Sequence, residues 1–168
     1  MLIALALAAA APAPPPPPCS TAEYRALDFW VGDWDAEFAL SGGKTGHAVN
    51  RITRDEFGTC VISEHFVQAD IDYVGASHST WDPYKKKWVQ TWVDNGGGYI
   101  TLDGGPVEGQ PYSFELVTID PRGPKQVHSR MIWQDVKPDS FTWRWQKRAT
   151  PAEAWTDSWV IHYRRKTG

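Results

Sequence analysis

An all-β domain, an antiparallel meander closed into a barrel, is the fold that this sequence predicts. Three observations carry the prediction. Beyond about residue 28, apolar and polar residues alternate with period two. Turn residues interrupt that alternation about every ten to fifteen positions. The chain has 168 residues, enough for one domain, and its 10 Trp, 6 Tyr and 6 Phe supply an ample core.

The strands fall over about 33–40, 46–55, 59–68, 73–81, 87–94, 98–104, 111–119, 126–136, 140–148 and 155–165. The breaks between them carry turn chemistry. They include Ser41-Gly42-Gly43, Asp82-Pro83-Tyr84, Asn95-Gly96-Gly97-Gly98, Asp120-Pro121-Arg122-Gly123-Pro124 and Pro138-Asp139. Roughly ten short strands joined by tight turns remove their edges by closing. A sandwich is the competing architecture. Ahead of the strands, Ser20-Thr21-Ala22-Glu23 has capping-box spacing, and Tyr24 and Leu27 lie one turn apart, so a short helix is expected over about 21–28.

Composition limits the function. At 42% hydrophobic and 22% charged residues, the chain is neither disordered nor collagen-like. Seventeen Lys+Arg against twenty Asp+Glu give a formal charge of −3, which offers no basic excess for nucleic acid.

Residues Leu2–Ala11 form a ten-residue apolar run. A membrane span needs about 20, so no stable span is expected. The run fits the apolar core of a secretory signal, with Ala9-Ala10-Ala11 or Ala11-Pro12-Ala13 at the cut. No Lys or Arg precedes it, and both cuts leave a proline next; a disordered apolar tail is the opposing reading. Pro14–Pro18 is an extended polyproline tether. Residues 1–18 are thus read as signal and tether and 19–168 as the barrel domain, in a periplasmic or secreted protein. Cys19 and Cys60 are the only cysteines. In an exported chain they are expected to form a disulfide; two free thiols, with Cys60 buried, is the alternative.

Turn arithmetic assigns the faces. Pairing around Pro138 sets Trp133 opposite Trp143, and pairing around Thr150–Glu153 sets Trp145 opposite Trp159. One face then carries Met131, Trp133, Phe141, Trp143, Trp145, Trp155, Trp159, Ile161 and Tyr163. The other carries His128, Arg130, Gln134, Arg144, Gln146, Arg148, Thr156, Ser158, His162 and Arg164. A half-apolar, half-polar sheet fits a barrel with an aromatic interior.

The segment Asp28-Phe29-Trp30-Val31-Gly32-Asp33-Trp34 resembles the opening of the lipocalin and calycin superfamily. The resemblance implies that Trp34, after Gly32, closes one end of a barrel. It also implies that a last-strand arginine, Arg164 or its neighbour Arg165, packs on that ring. A wider match covers Ser79-Thr80-Trp81-Asp82-Pro83-Tyr84 and Trp88-Val89-Gln90-Thr91-Trp92-Val93-Asp94-Asn95. It is similar to a family of secreted bacterial lipocalin-like domains of unknown function, which implies a calycin-like barrel and brings no activity with it.

Glu64, His65 and His78 lie on two strands expected to form a hairpin. With residues 71 and 72 as the turn, His65 faces His78; a one-residue slip sets Glu64 against His78 instead. Either pair is a candidate acid–base couple, for a hydrolase or isomerase, or half of a metal site. The plainer reading is a solvated cross-strand pair or a hydrogen-bonded buried Glu. No third His or Cys has ligand spacing, so no metal is expected. Asp94 and Asn95, beside the triple-glycine turn, can accept hydrogen bonds from a ligand at the barrel mouth; the plain alternative is a turn in which Asn95 and glycine supply positive φ. Gln90 shares the face of Trp88 and Trp92, as a polar group that orients a ligand would. Some calycin-like barrels hold haem through a late-strand histidine. His162 is on the last strand here, but on the polar face, so no cofactor is expected.

The sequence therefore reads as a barrel that binds a small apolar or amphipathic ligand, walled by Trp92, Trp133, Trp145 and Trp159 and oriented by Glu64 and Gln90. An enzyme using Glu64 with His65 or His78, or a packed barrel with an outer protein-binding face, are the alternatives.

Overall fold

In a computed structural model, residues 17–54, 56–110, 113–120 and 126–167 are described. The expected signal and its cleavage sites, and the turn at 121–124, lie outside them. A helical turn α1 (Ala22–Arg25) and a 3-10 turn (Asp28–Trp30) lead into eleven strands. These are β1 (Gly32–Ala39), β2 (Thr45–Thr53), β3 (Glu56–Thr59), β4 (Val61–Gln68), β5 (Tyr73–Asp82), β6 (Lys87–Asp94), β7 (Tyr99–Pro106), β8 (Phe114–Asp120), β9 (Val127–Lys137), β10 (Ser140–Arg148) and β11 (Thr156–Arg165). Ten of them close an antiparallel barrel in the order β1-β11-β10-β9-β8-β7-β6-β5-β4-β2. The fold class is the one the alternation predicts. The extra strand, β3, is not one of the barrel strands; its Phe57 ring lies edge-on to His78, 5.0 Å between centroids. The helix is shorter than expected and is capped by Thr21, whose side chain makes no capping bond, so the capping box does not form.

Alternation explains the burial. On β1, Trp34, Ala36 and Phe38 point inward, and on β2 Gly46, Ala48, Asn50 and Ile52 do. The barrel closes where β1 meets β11, with Ala36 opposite Tyr163. Trp133 pairs with Trp143, and Trp145 with Trp159, as the turn arithmetic predicts. A bulge after Trp145 then changes the parity of β11. For this reason Trp155 does not join the aromatic face. It sits between Arg130 and Arg148, whose guanidinium carbons are 4.5 and 4.1 Å from its ring centroid.

One end of the barrel is plugged. Leu27 and Trp30 are buried against it, and Trp30 meets Trp133 edge-on at 5.1 Å. The Trp34 indole N–H donates to the Trp30 carbonyl at 2.8 Å, and the Trp88 N–H to the Glu23 carbonyl at 3.0 Å. Arg165 lies 4.1 Å over the Trp34 ring and donates to the carbonyls of Val31 and Pro138 at 2.8 Å and of Phe29 at 3.3 Å. The stacking arginine is thus Arg165 and not Arg164. With Ile161 and Tyr163 inward, alternation turns Arg164 outward. Gly32, at φ 142°, leaves the space: a Cβ there would stand 2.0 Å from Arg165 Nη1. Arg54 completes the plug, pairing with Asp28 at 2.6 Å and donating to the Tyr24 and Thr59 carbonyls. A disulfide joins Cys19 to Cys60, so the helical segment is also tied covalently to the sheet.

Candidate functional site

Above the plug the lumen is not filled. A cavity of about 230 Å³ runs from Trp30 toward the opposite end of the barrel. Fourteen residues line it, and eight are aromatic: Trp30, Phe66, Tyr73, Trp92, Trp143, Trp145, Trp159 and Tyr163. Strand geometry places them. Alternate positions of β10 and β11 bring Trp143, Trp145 and Trp159 inward, and the Trp143 and Trp159 rings meet edge-on at 5.7 Å. Gly75 makes room for Trp92 on the facing strand, since a Cβ there would stand 2.0 Å from the indole ring.

Two carboxylates reach this space, Glu64 and Asp94. Glu64 belongs to the inward set of β4, with Ile62, Phe66 and Gln68. Asn50 Nδ2 donates to Glu64 Oε1 at 2.8 Å, and Ser77 Oγ donates to Oε2 at 2.6 Å. Asn50 Nδ2 also reaches the Tyr163 hydroxyl at 3.4 Å. Burial pushes the Glu64 carboxyl up to about 6, against the two hydrogen bonds that favour its charged form. Burial and then the nearby Glu64 charge raise the Tyr163 hydroxyl far above its usual value.

Asp94 is near the other end of the cavity. Its Oδ2 accepts from Trp92 Nε1 at 3.0 Å and from the Tyr73 hydroxyl at 3.3 Å. Its Oδ1 accepts from the backbone N–H groups of Gly96 and Gly98, both at 2.9 Å. Burial raises this carboxyl, but the four hydrogen bonds together outweigh it and hold the group below its usual range. Asp94 thus fixes the Trp92 ring and the glycine turn at once. Burial, followed by the charge of Asp94, lifts the Tyr73 hydroxyl to about 12.

Four expected ligand residues, Glu64, Trp92, Trp145 and Trp159, come together on this cavity. Two do not. Trp133 is fully buried in the plug, between Trp30 and Phe114. Gln90 is buried in the wall, where Nε2 donates to Ser79 Oγ at 2.9 Å. Neither borders the cavity. Asn95 does not supply the positive φ of its turn; Gly97 does, at 79°. The Asn95 side chain instead joins two hairpins, accepting from Val74 N–H and donating to the Asp72 carbonyl.

Neither expected histidine couple forms. The β4–β5 hairpin turns through a 3-10 segment at Ala69–Ile71 with Asp72 left-handed, leaving four residues between the paired Gln68 and Tyr73. The register then sets Ser63 against His78, Glu64 against Ser77 and His65 against Ala76. His65 and His78 stay on the outer face, while Glu64 points inward. His162 is also outward, with Nδ1 3.5 Å from Thr142 Oγ1. Among the described residues no three His, Cys, Asp or Glu side chains converge as metal ligands, and no described helix is long and apolar enough to cross a membrane.

The partners of Glu64 went unread in the sequence. Asn50 carried a signal: it is the one polar side chain on the Gly46, Ala48, Ile52 face of β2. Ser77 carried none, since serine is common on either face. Neither a scan against protein-family models nor a comparison with curated proteins finds a match for this chain.

Proposed function

We propose that this protein is an exported small-molecule-binding barrel whose lumen takes a compact, partly apolar ligand. The aromatic cavity of about 230 Å³ carries the reading. It is somewhat below the roughly 300–1,000 Å³ of drug-sized sites, so the ligand is a molecule of one or two rings. Trp92, Trp145 and Trp159 supply the walls, and Glu64 the polar contact that orients it. Export rests on the apolar run at Leu2–Ala11 and on the Cys19–Cys60 disulfide, a bond of oxidising compartments. Native mass spectrometry of protein purified gently from a periplasm tests the binding, and a denatured mass that lacks the Leu2–Ala11 run tests the export. The expected result is an excess mass over the denatured chain, lost in a Trp145→Ala, Trp159→Ala double variant. Bare protein that also leaves its tryptophan fluorescence unchanged with small aromatic probes would sink the reading.

A second reading is a hydrolase or isomerase of the same shape. One observation favours it: Glu64 sits in an apolar site with its carboxyl near 6, a value suited to proton transfer at working pH. Its partners would then be Asn50, Ser77 and Tyr163, not the histidines. In that case Glu64→Gln removes turnover while ligand binding persists.

A further inference from the structure

We infer that the lumen selects an organic cation, a primary or quaternary amine carried on a small apolar frame. This rests on the binding reading above and names the chemistry of its ligand. The lining of the cavity is one-sided in charge. It holds two carboxylates, Glu64 and Asp94, and no Lys, Arg or His among the described residues. Lys147, two residues beyond Trp145 on β10, is exposed at the end of the strand and does not border the cavity, and three arginines of the neighbouring strands are held outside it. Arg144 pairs with Asp157 at 2.5 Å outside the barrel, Arg130 with Glu115, and Arg148 stacks on Trp155.

An anionic ligand would meet two acidic groups with no counter-charge among the described lining residues, one of them, Glu64, deep enough that water screens it poorly. A purely apolar ligand would leave the Glu64 carboxylate desolvated without recompense. A cation offsets that cost and finds more. Aromatic faces attract a positive charge within about 6 Å of the ring, and clustered Trp and Tyr form the cages that recognise ammonium groups. Here Trp143, Trp145, Trp159 and Tyr163 share one cavity with Glu64, and Tyr73 and Trp92 share it with Asp94. Asp94 is held in place by four donors, so its charge is fixed before any ligand arrives. Among the described residues two donors reach the Glu64 carboxylate oxygens, which leaves lone pairs for the N–H of a primary ammonium.

Three probes on one skeleton test this: phenethylamine, 2-phenylethanol and phenylacetate, titrated into the disulfide-intact protein at pH 7.5 and low salt. The readouts are quenching of tryptophan fluorescence and calorimetry. The expected order is the amine first, tighter than the alcohol by about tenfold or more, with phenylacetate weakest. In Glu64→Gln, with its fold checked by near-ultraviolet circular dichroism, the advantage of the amine over the alcohol should shrink to within about threefold. Equal or tighter binding of the alcohol overturns the cation inference and leaves the binding lumen standing. An amine advantage that survives Glu64→Gln upholds the cation inference and moves its charge contact to Asp94. Failure of both amine and alcohol to bind removes the binding lumen itself, and the inference with it.

Discussion

Glu64 makes the stability of this barrel fall as pH rises, and replacing it with Gln should remove that slope. Its carboxyl moves from an ordinary 4.5 up to about 6, burial being the main cause. A carboxyl held above its unfolded value binds its proton more tightly in the folded state. Stability is therefore greatest at low pH and declines as pH rises from 4.5 through 6. The gap between the two values corresponds to about 2 kcal/mol, and about 1 kcal/mol of it is lost between pH 5 and 7.5. Glu23 and Asp94 shift the opposite way, so their stabilisation is present above their ordinary values of 4.5 and 3.8 and is lost as pH falls below them. Subtracting the variant from the wild type cancels both. The assay is urea unfolding at half-unit steps from pH 4 to 7.5. Glu64→Gln should gain on the wild type steadily, and be relatively more stable at pH 7.5 than at pH 4 by about 2 kcal/mol, or about 4–8 °C in Tm. A difference that stays flat with pH, or that widens toward acid, would refute a buried carboxylate at this position. A saturating amine should also flatten the slope, since a paired charge no longer favours the proton.

Opening the Cys19–Cys60 bridge, by reductant or by a double serine variant, should cost at most about 4 kcal/mol for a sequence separation of 41, read as a lower denaturant midpoint with the β spectrum retained; an unmoved midpoint would place the bond outside the cooperative unit. Arg165→Ala should cost about 3 kcal/mol, because three carbonyl contacts and a Trp34 stack go together, while Arg164→Ala stays within about 0.5 kcal/mol; equal losses would contradict the assignment of the stacking arginine. Gly75→Ala should force the Trp92 ring off the lumen wall, cost about 1–3 kcal/mol and weaken 2-phenylethanol binding, seen together in the near-ultraviolet spectrum and the titration; an alanine variant with an unchanged spectrum would contradict the close contact.

How far each feature could be read in advance follows from how far its cause lies along the chain. The β9–β10 and β10–β11 pairings were legible because a two-fold period and a nearby turn fix them, and Trp133–Trp143 and Trp145–Trp159 lie close to their turns. Trp155 was misplaced because one bulged residue reverses every side chain beyond it, and a bulge leaves no compositional trace. The Glu64 and His78 pairing failed for a related reason. Asp70, Ile71 and Asp72 permit either a two-residue or a four-residue turn, and the backbone uses the longer, with Asp72 in the left-handed region that Asp tolerates. Glu64 was recognised as a residue that could matter. Its true neighbours, Asn50 and Tyr163, are 14 and 113 residues away, and only the closed barrel brings them together.

Plug and wall are built from the same residue type, which is why ten tryptophans do not by themselves announce a pocket. What separates them is height along the barrel. Trp34, Trp88, Trp133, Phe114 and Phe141 lie at the end that the helical segment covers, and each meets another ring of that end edge-on, at 4.7 to 6.1 Å between centroids. Trp92 stands four residues further along β6 than Trp88, and Trp145 four further along β10 than Phe141. At about 3.3 Å per residue, that is some 13 Å further along the strand, away from the end that α1 covers. At the level of Trp92 the neighbouring strands carry no ring: Ser77 and Glu64 stand there, and the rings resume beyond them at Phe66 and Tyr73. A barrel designed only to be stable would place an aliphatic side chain where Glu64 stands, because an ionised carboxylate there works against folding. Under the proposed function a partner of opposite charge would recover that cost, and the carboxylate and the cavity would then share one explanation.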